Sequence, residues 1–152
     1  MDTKSLDAQL GVLQSRIGSK CVILITKDGE FLTGAGDTSF IDITALSALI
    51  AGMFSATQEV AHILGEAEFS ILFQQGEKRN IHISIIGPYA MMVIIYEDRT
   101  ITGLVNFQAA KIGRELIQIF KNEKAEKSKD EKLIIEDFKV YAVKLIDSIF
   151  KE

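Results

Sequence analysis

Two short stretches of this 152-residue chain, CVILI at 21–25 and MMVIIY at 91–96, are apolar at every consecutive position. Successive side chains of a strand point to opposite faces, so such a run suits only a sheet covered on both sides. The other strand-like runs are different. Phe69, Ile71 and Phe73 alternate with Ser70 and Gln74, and Ile81, Ile83 and Ile85 alternate with Asn80, His82 and Ser84, giving each run one apolar face. Between CVILIT and EFLTGAG lies Asp28-Gly29, a pair that accepts the positive φ of a tight hairpin turn.

Helical spacing fills the intervals. Leu6, Leu10, Leu13 and Ile17 recur at steps of four, three and four, with Thr3 or Ser5 available as a cap. The segment TALSALIAGMFSATQEVAHILG, 44–65, is a long central helix that Gly65 can end in a left-handed conformation. Ile101, Leu104, Val105, Ile112, Leu116, Ile119 and Phe120 keep to one side of a third helix. The order is therefore helix, hairpin, helix, three-stranded meander, helix. It predicts an α/β sandwich of the α+β type, with a five-stranded antiparallel sheet, the second helix on one face and the first and third on the other. The domain occupies 1–120. Residues 121–132, KNEKAEKSKDEK, mix both signs of charge around one alanine and form a linker or helix extension. Residues 133–152 make a C-terminal amphipathic helix with Ile134, Phe138, Tyr141, Leu145 and Ile149 at helical spacing.

Composition narrows the function. With 21 acidic against 17 basic residues and no basic stripe, the chain lacks the charge that nucleic acid or an anionic membrane attracts. The opening MDTKSLDAQL has no basic region leading into an apolar one, and no run of about 18 apolar residues occurs, so a cytoplasmic place without membrane insertion is expected. Cys21, the single cysteine, sits in CVILI and reads as a small buried hydrophobe. Two histidines, His62 and His82, are too few for a dedicated zinc site, and His82 reads as a half-exposed strand residue. GVLQSRIGSK at 11–20 ends in Gly-Ser-Lys and follows a helix, which fails the Walker pattern, while the GAG of Gly34–Gly36 lacks a third glycine. No Gly-x-Ser-x-Gly elbow is present. No cofactor, metal or catalytic site is expected.

The central helix has an unusual second side. Rotated at about 100° per residue, Leu46, Leu49, Ile50, Met53, Thr57, Val60 and Leu64 gather within about 60° of Leu46 and read as the sheet-facing stripe. Ala48, Gly52, Ser55, Glu59 and His62 fall opposite. A glycine in an exposed helix interior costs about 1 kcal/mol against alanine, so Gly52 is either drift at a tolerant position or a place where another backbone lies close. The small residues beside it favour the second reading, a docking platform for a protein partner.

Several of these segments carry a resemblance: the Asp28-Gly29 hairpin, I-D-x-T-x-L at 41–46, Ala51-Gly52, L-G-E-x-E-F at 64–69 and R-T-x-x-G-L-V at 99–105. Over residues 5–120 the chain resembles the roadblock superfamily and, within it, the MglB-like branch of bacterial gliding-motility regulators. The resemblance implies a homodimer whose sheets join through the third strand, here 69–74 with Phe69, Ile71 and Phe73, and whose second helices pack together. It also implies a GTPase-activating partner for a small Ras-like GTPase of the MglA kind, in motility or cell polarity, with a polar place in the cell. The activator would position the GTPase's own switch and catalytic groups and donate no arginine. On this reading Ala48, Ala51, Gly52, Ser55, Ala56 and Glu59 form the surface shared by the dimer and the GTPase. The alternative is a roadblock-type adaptor that leaves hydrolysis unchanged. The C-terminal helix, with Phe138, Tyr141, Leu145 and Ile149, either folds over its own dimer or reaches the GTPase. Its polar face mixes Glu136, Asp137 and Asp147 with Lys139 and Lys144, so it lacks a membrane anchor's basic excess.

Overall fold

The computed structural model describes residues 3–150; residues 1, 2, 151 and 152, which begin the first expected segment and end the last, lie outside the described residues. The chain divides into two compact units, Met1–Gln118 and Ile119–Glu152. The first unit holds α1 (Lys4–Ile17), β1 (Cys21–Ile25), β2 (Phe31–Gly36), α2 (Ile43–Ile63), β3 (Ile71–Gln75), β4 (Asn80–Ile86), β5 (Ala90–Tyr96), a 3₁₀ turn (Arg99–Ile101) and the start of α3 (Thr102–Phe150).

The five strands form one antiparallel sheet in the order β2-β1-β5-β4-β3. The two uniformly apolar runs are neighbours in its interior, with Cys21 opposite Ile95 on one side and Gly36 on the other. Every residue of β1 and β5 is buried. Alternation then sorts the two cores. Cys21, Ile23, Ile25, Ile83, Met91, Val93 and Ile95 meet Ile50, Ala51 and Phe54 of α2. On the other face α1 buries Leu6, Leu10, Leu13 and Ile17, and α3 buries Val105, Ala109, Ile112 and Leu116. Leu104, expected in that second stripe, is exposed. Tyr96 reaches α3 through its hydroxyl, 3.0 Å from Thr102 Oγ1.

Because β2 and β3 are opposite edges of the sheet, α2 must carry the chain from one edge to the other. At 1.5 Å per residue its length is about 30 Å, enough to cross five strands spaced about 4.8 Å apart on a diagonal. Both of its ends are built locally. Asp42 caps the start by accepting the Ala45 N–H at 3.1 Å. At the finish Gly65 takes φ +79°, with Gly65 N–H donating to His62 C=O at 3.1 Å and Glu66 N–H to Ala61 C=O at 2.9 Å. That pair of bonds is a Schellman ending.

Two local expectations change. Thr3 occupies the N-cap of α1 without a side-chain cap bond, and its hydroxyl donates instead to Asp7 Oδ2 at 3.2 Å. The β1–β2 connection is wider than a two-residue turn: Thr26 N–H donates to Glu30 C=O at 2.8 Å, and the register slips between Leu24 and Ile25. Gly29 adopts φ +94° in this loop, where an added Cβ would stand 3.0 Å from Ala48 Cα and 3.1 Å from Ala51 Cβ. The hairpin tip is thus pressed onto the start of α2.

In the second unit α3 continues as helix to Phe150, the charged stretch 121–132 included. None of the described residues from 121 to 150 is buried.

Gly29→Ala adds both a positive-φ strain and a collision with helix backbone, and should destabilise by about 1–3 kcal/mol, read as a lower urea midpoint. Asp42→Ala removes only the cap and should cost about 1 kcal/mol in the same measurement.

Candidate functional site: the outer face of α2

The burial of α2 corrects its expected orientation. Its inward residues are Ser47, Ile50, Ala51, Phe54 and Ala61, whereas Leu49 (72% exposed), Val60 (50%) and Leu64 (66%), all assigned to the sheet by spacing, face outward. Leu46 and Met53, also assigned to the sheet, do pack against the core, so the covered side is shifted by roughly 60° from the expected one, given about 100° per residue. Phe54 supplies the reason. Spacing treated Leu49, Val60 and Leu64 as equals of Ile50, but burying an aromatic ring in the core gains more than burying any one of them.

Of the six expected contact residues, Ala48, Gly52, Ser55, Ala56 and Glu59 lie on the exposed side. Ala51 does not. It is buried in the core against the sheet and beside the Gly29 turn, so its small size serves the chain's own hairpin. Ala48, though exposed, meets the same turn through its Cα. Gly52 is different, because a Cβ added there would find nothing within 4 Å. Among the described residues no contact accounts for this glycine.

The rotation also adds Leu49 and Val60, which spacing had placed inside. They project together with Ala56 and Ile63, and Ile63 is 85% exposed. By length and composition α2 is apolar enough to cross a membrane, yet only 17% of its most apolar 18-residue window is buried. Its packing on the sheet and its capped ends mark it as a core helix with an uncovered apolar side.

The third strand forms the edge beside β4, as expected, but starts at Ile71. Phe69 falls outside it because Gln58 of α2 takes both of its backbone groups: the amide donates to Phe69 C=O at 3.2 Å and the side-chain oxygen accepts Phe69 N–H at 3.1 Å. Ile71 and Phe73 remain on one face of the strand and are largely exposed, Phe73 stacking on Tyr96 at 6.5 Å between ring centroids. In the second unit Ile134, Phe138, Tyr141, Leu145 and Ile149 are exposed together with Ile135, Val140, Val143 and Ile146, a wider apolar band than expected.

Three of the four arginines have defined places. Arg79 lies 4.6 Å over the Phe40 ring and 3.9 Å from Glu97, Arg99 donates to Gly76 C=O at 2.6 Å, and Arg114 stands on α3. The remaining one, Arg16, closes α1, so none belongs to α2. Cys21 is buried and its thiol is pushed up to about 11 by that burial, which makes it unreactive. Among the described residues no group of three or more His, Cys, Asp or Glu side chains is placed to hold a metal.

Sequence reasoning missed the polar row of β4. Asn80, His82 and Ser84 are all buried, and His82, expected to be half-exposed, is 1% exposed. Burial holds the His82 imidazole below its ordinary pKa, while the nearby Asn106 side chain acts in the opposite direction. Neither ring nitrogen completes a hydrogen bond of normal geometry, and the Ser84 hydroxyl has no partner. The signal was available. A polar alternation on a strand covered from both sides must point under a helix.

Comparison with known proteins agrees with this architecture. The Roadblock/LC7 domain family model matches residues 7–96. Myxococcus xanthus MglB is 33% identical, with a TM-score of 0.77 over 80% of this chain and 99% of that one. The gliding protein MglB from Thermus thermophilus, 24% identical, shares the fold at a TM-score of 0.70 over 78% of this chain and 89% of its own. An MglB structure described by its tetrameric arrangement, 23% identical, does so with the same score and coverage. No curated protein matches the sequence. With more than half of its length matched and the expected five-stranded antiparallel sheet and helix layers present, the chain belongs to the Roadblock/LC7 domain family.

Proposed function

We propose that this chain is a homodimeric activator of a small Ras-like GTPase, working in the cytoplasm in the control of motility or cell polarity. The observation that carries the reading is the uncovered apolar side of α2, centred on Gly52, on a chain 33% identical to Myxococcus xanthus MglB. Water-exposed Leu49, Val60 and Ile63 on one helix are costly to leave bare, and a protein surface that covers them recovers their burial energy. The free edge of β3 adds a row of backbone donors and acceptors that a second copy can pair.

The activator holds the switch and catalytic groups of the GTPase in their productive arrangement by binding that arrangement more tightly than others. Four arginines that all lie off α2, with Arg79 and Arg99 already engaged, support a mechanism without a donated guanidinium. The chain hydrolyses nothing by itself.

Purified protein should raise phosphate release from a Ras-like GTPase encoded beside it and should bind the GTP form preferentially. Equal binding to the GDP and GTP forms with unchanged hydrolysis would make it an adaptor instead. Gly52→Arg should fold normally by circular dichroism and melting, since nothing lies within 4 Å of the new Cβ. It should nevertheless weaken binding at least about tenfold, a loss near 1.4 kcal/mol. Replacing each arginine by lysine should leave stimulation within about tenfold, whereas a drop of roughly 10³ or more would identify an arginine finger.

A further inference from the structure

Beneath α3, on the sheet face opposite α2, lies a cleft of about 180 Å³ whose lining includes Ser70, His82, Ser84, Asn106 and Arg114. Its walls are apolar, from Ile71, Ile86, Ala110 and Ile117. Two of the polar side chains on its floor, His82 and Ser84, are at least nine-tenths buried; the Ser84 hydroxyl has no hydrogen-bond partner, and neither His82 ring nitrogen completes a bond of normal geometry although the Asn106 side chain lies nearby. A buried polar atom without a partner is uncommon in native proteins, and two side by side at a cavity wall fit a site that a ligand completes.

The lining also selects the chemistry. No Asp or Glu is among the cleft residues, Arg114 is their one full cation, and the serine, amide and imidazole can each donate a proton. Burial favours the neutral form of His82, which offers one donor and one acceptor. Such a set favours an acceptor-rich anionic head, with an apolar body against the isoleucines. The volume admits a molecule little larger than benzene, which fills an apolar cavity of about 150 Å³ in another protein. We infer that the cleft between β4 and α3, floored by His82 and Ser84 and edged by Arg114, binds a small monocarboxylate with a short aliphatic or aromatic body. This site is independent of the α2 face and does not need the GTPase.

The full chain, labelled with ¹⁵N, is titrated with butyrate and benzoate and, as neutral counterparts, butyramide and benzamide. Saturable shifts of the His82 ring and the Ser84 amide with a carboxylate, and an affinity at least about tenfold weaker for the matching amide, are the expected result, because a guanidinium–carboxylate contact is a charge-assisted bond. Arg114→Gln, at an exposed helix position, should lower carboxylate affinity about tenfold while leaving the amide unchanged. Ala110→Leu should fill the cleft and abolish binding of both, with the melting temperature as the folding control for each variant. No saturable shift with any probe, equal affinity for acid and amide, or an Arg114→Gln variant that binds carboxylate as before would each overturn the assignment.

Discussion

The antiparallel pairing of β1 with β5 is the contact on which the rest of the molecule depends. Their side chains are buried on both faces, and each fully buried aliphatic residue contributes about 1.5–3 kcal/mol relative to exposure. That gain requires helices on both sides. It also forces β2 and β3 to opposite edges, so the connection between them has to travel over the whole sheet. The position of α2, and therefore the large surface it presents outward, follows from a pairing in which α2 itself takes no part.

Once stretched across the sheet, α2 can bury only one side. Both sides of this helix are apolar, a pattern that costs solubility unless something covers the outer one. The inner side is decided by Phe54 and by the hairpin tip, where Gly29 lies against the backbone of Ala48 and the methyl of Ala51. The small residues of α2 therefore serve two purposes. Ala51 admits the chain's own loop, while Gly52 stands with open space around it, as the proposed docking of another chain requires. Edge strand β3 shows a similar division, since Gln58 ties the segment entering it to α2 and leaves the far side of the strand unpaired.

The face under α3 follows another rule. Where α2 meets an almost wholly apolar surface, α3 covers a strand that turns Asn80, His82 and Ser84 inward. Asn80 is satisfied in part, its amide donating to Tyr96 C=O at 3.3 Å, whereas each unpartnered buried group costs about 1–3 kcal/mol. Retaining such a row in a domain of modest size makes sense where the groups have a use.

The sequence by itself determined the elements, their order, the two strands apolar on both faces and the helix ending at Gly65, because these depend on period two, period 3.6 and local backbone chemistry. It also located the segment that carries the candidate surface, with Gly52 at its centre. Tertiary structure alone decided which side of α2 meets the sheet. Two apolar stripes on one helix differ little in spacing, and the choice rests on the fit of Phe54 and on a loop more than a dozen residues earlier. It likewise ended β3 before Phe69 and placed His82 beneath α3, since both depend on partners distant in the chain, Gln58 in one case and Asn106 in the other. Local periodicity fixes the faces an element can offer; only competition among all the packed elements selects the face that is covered.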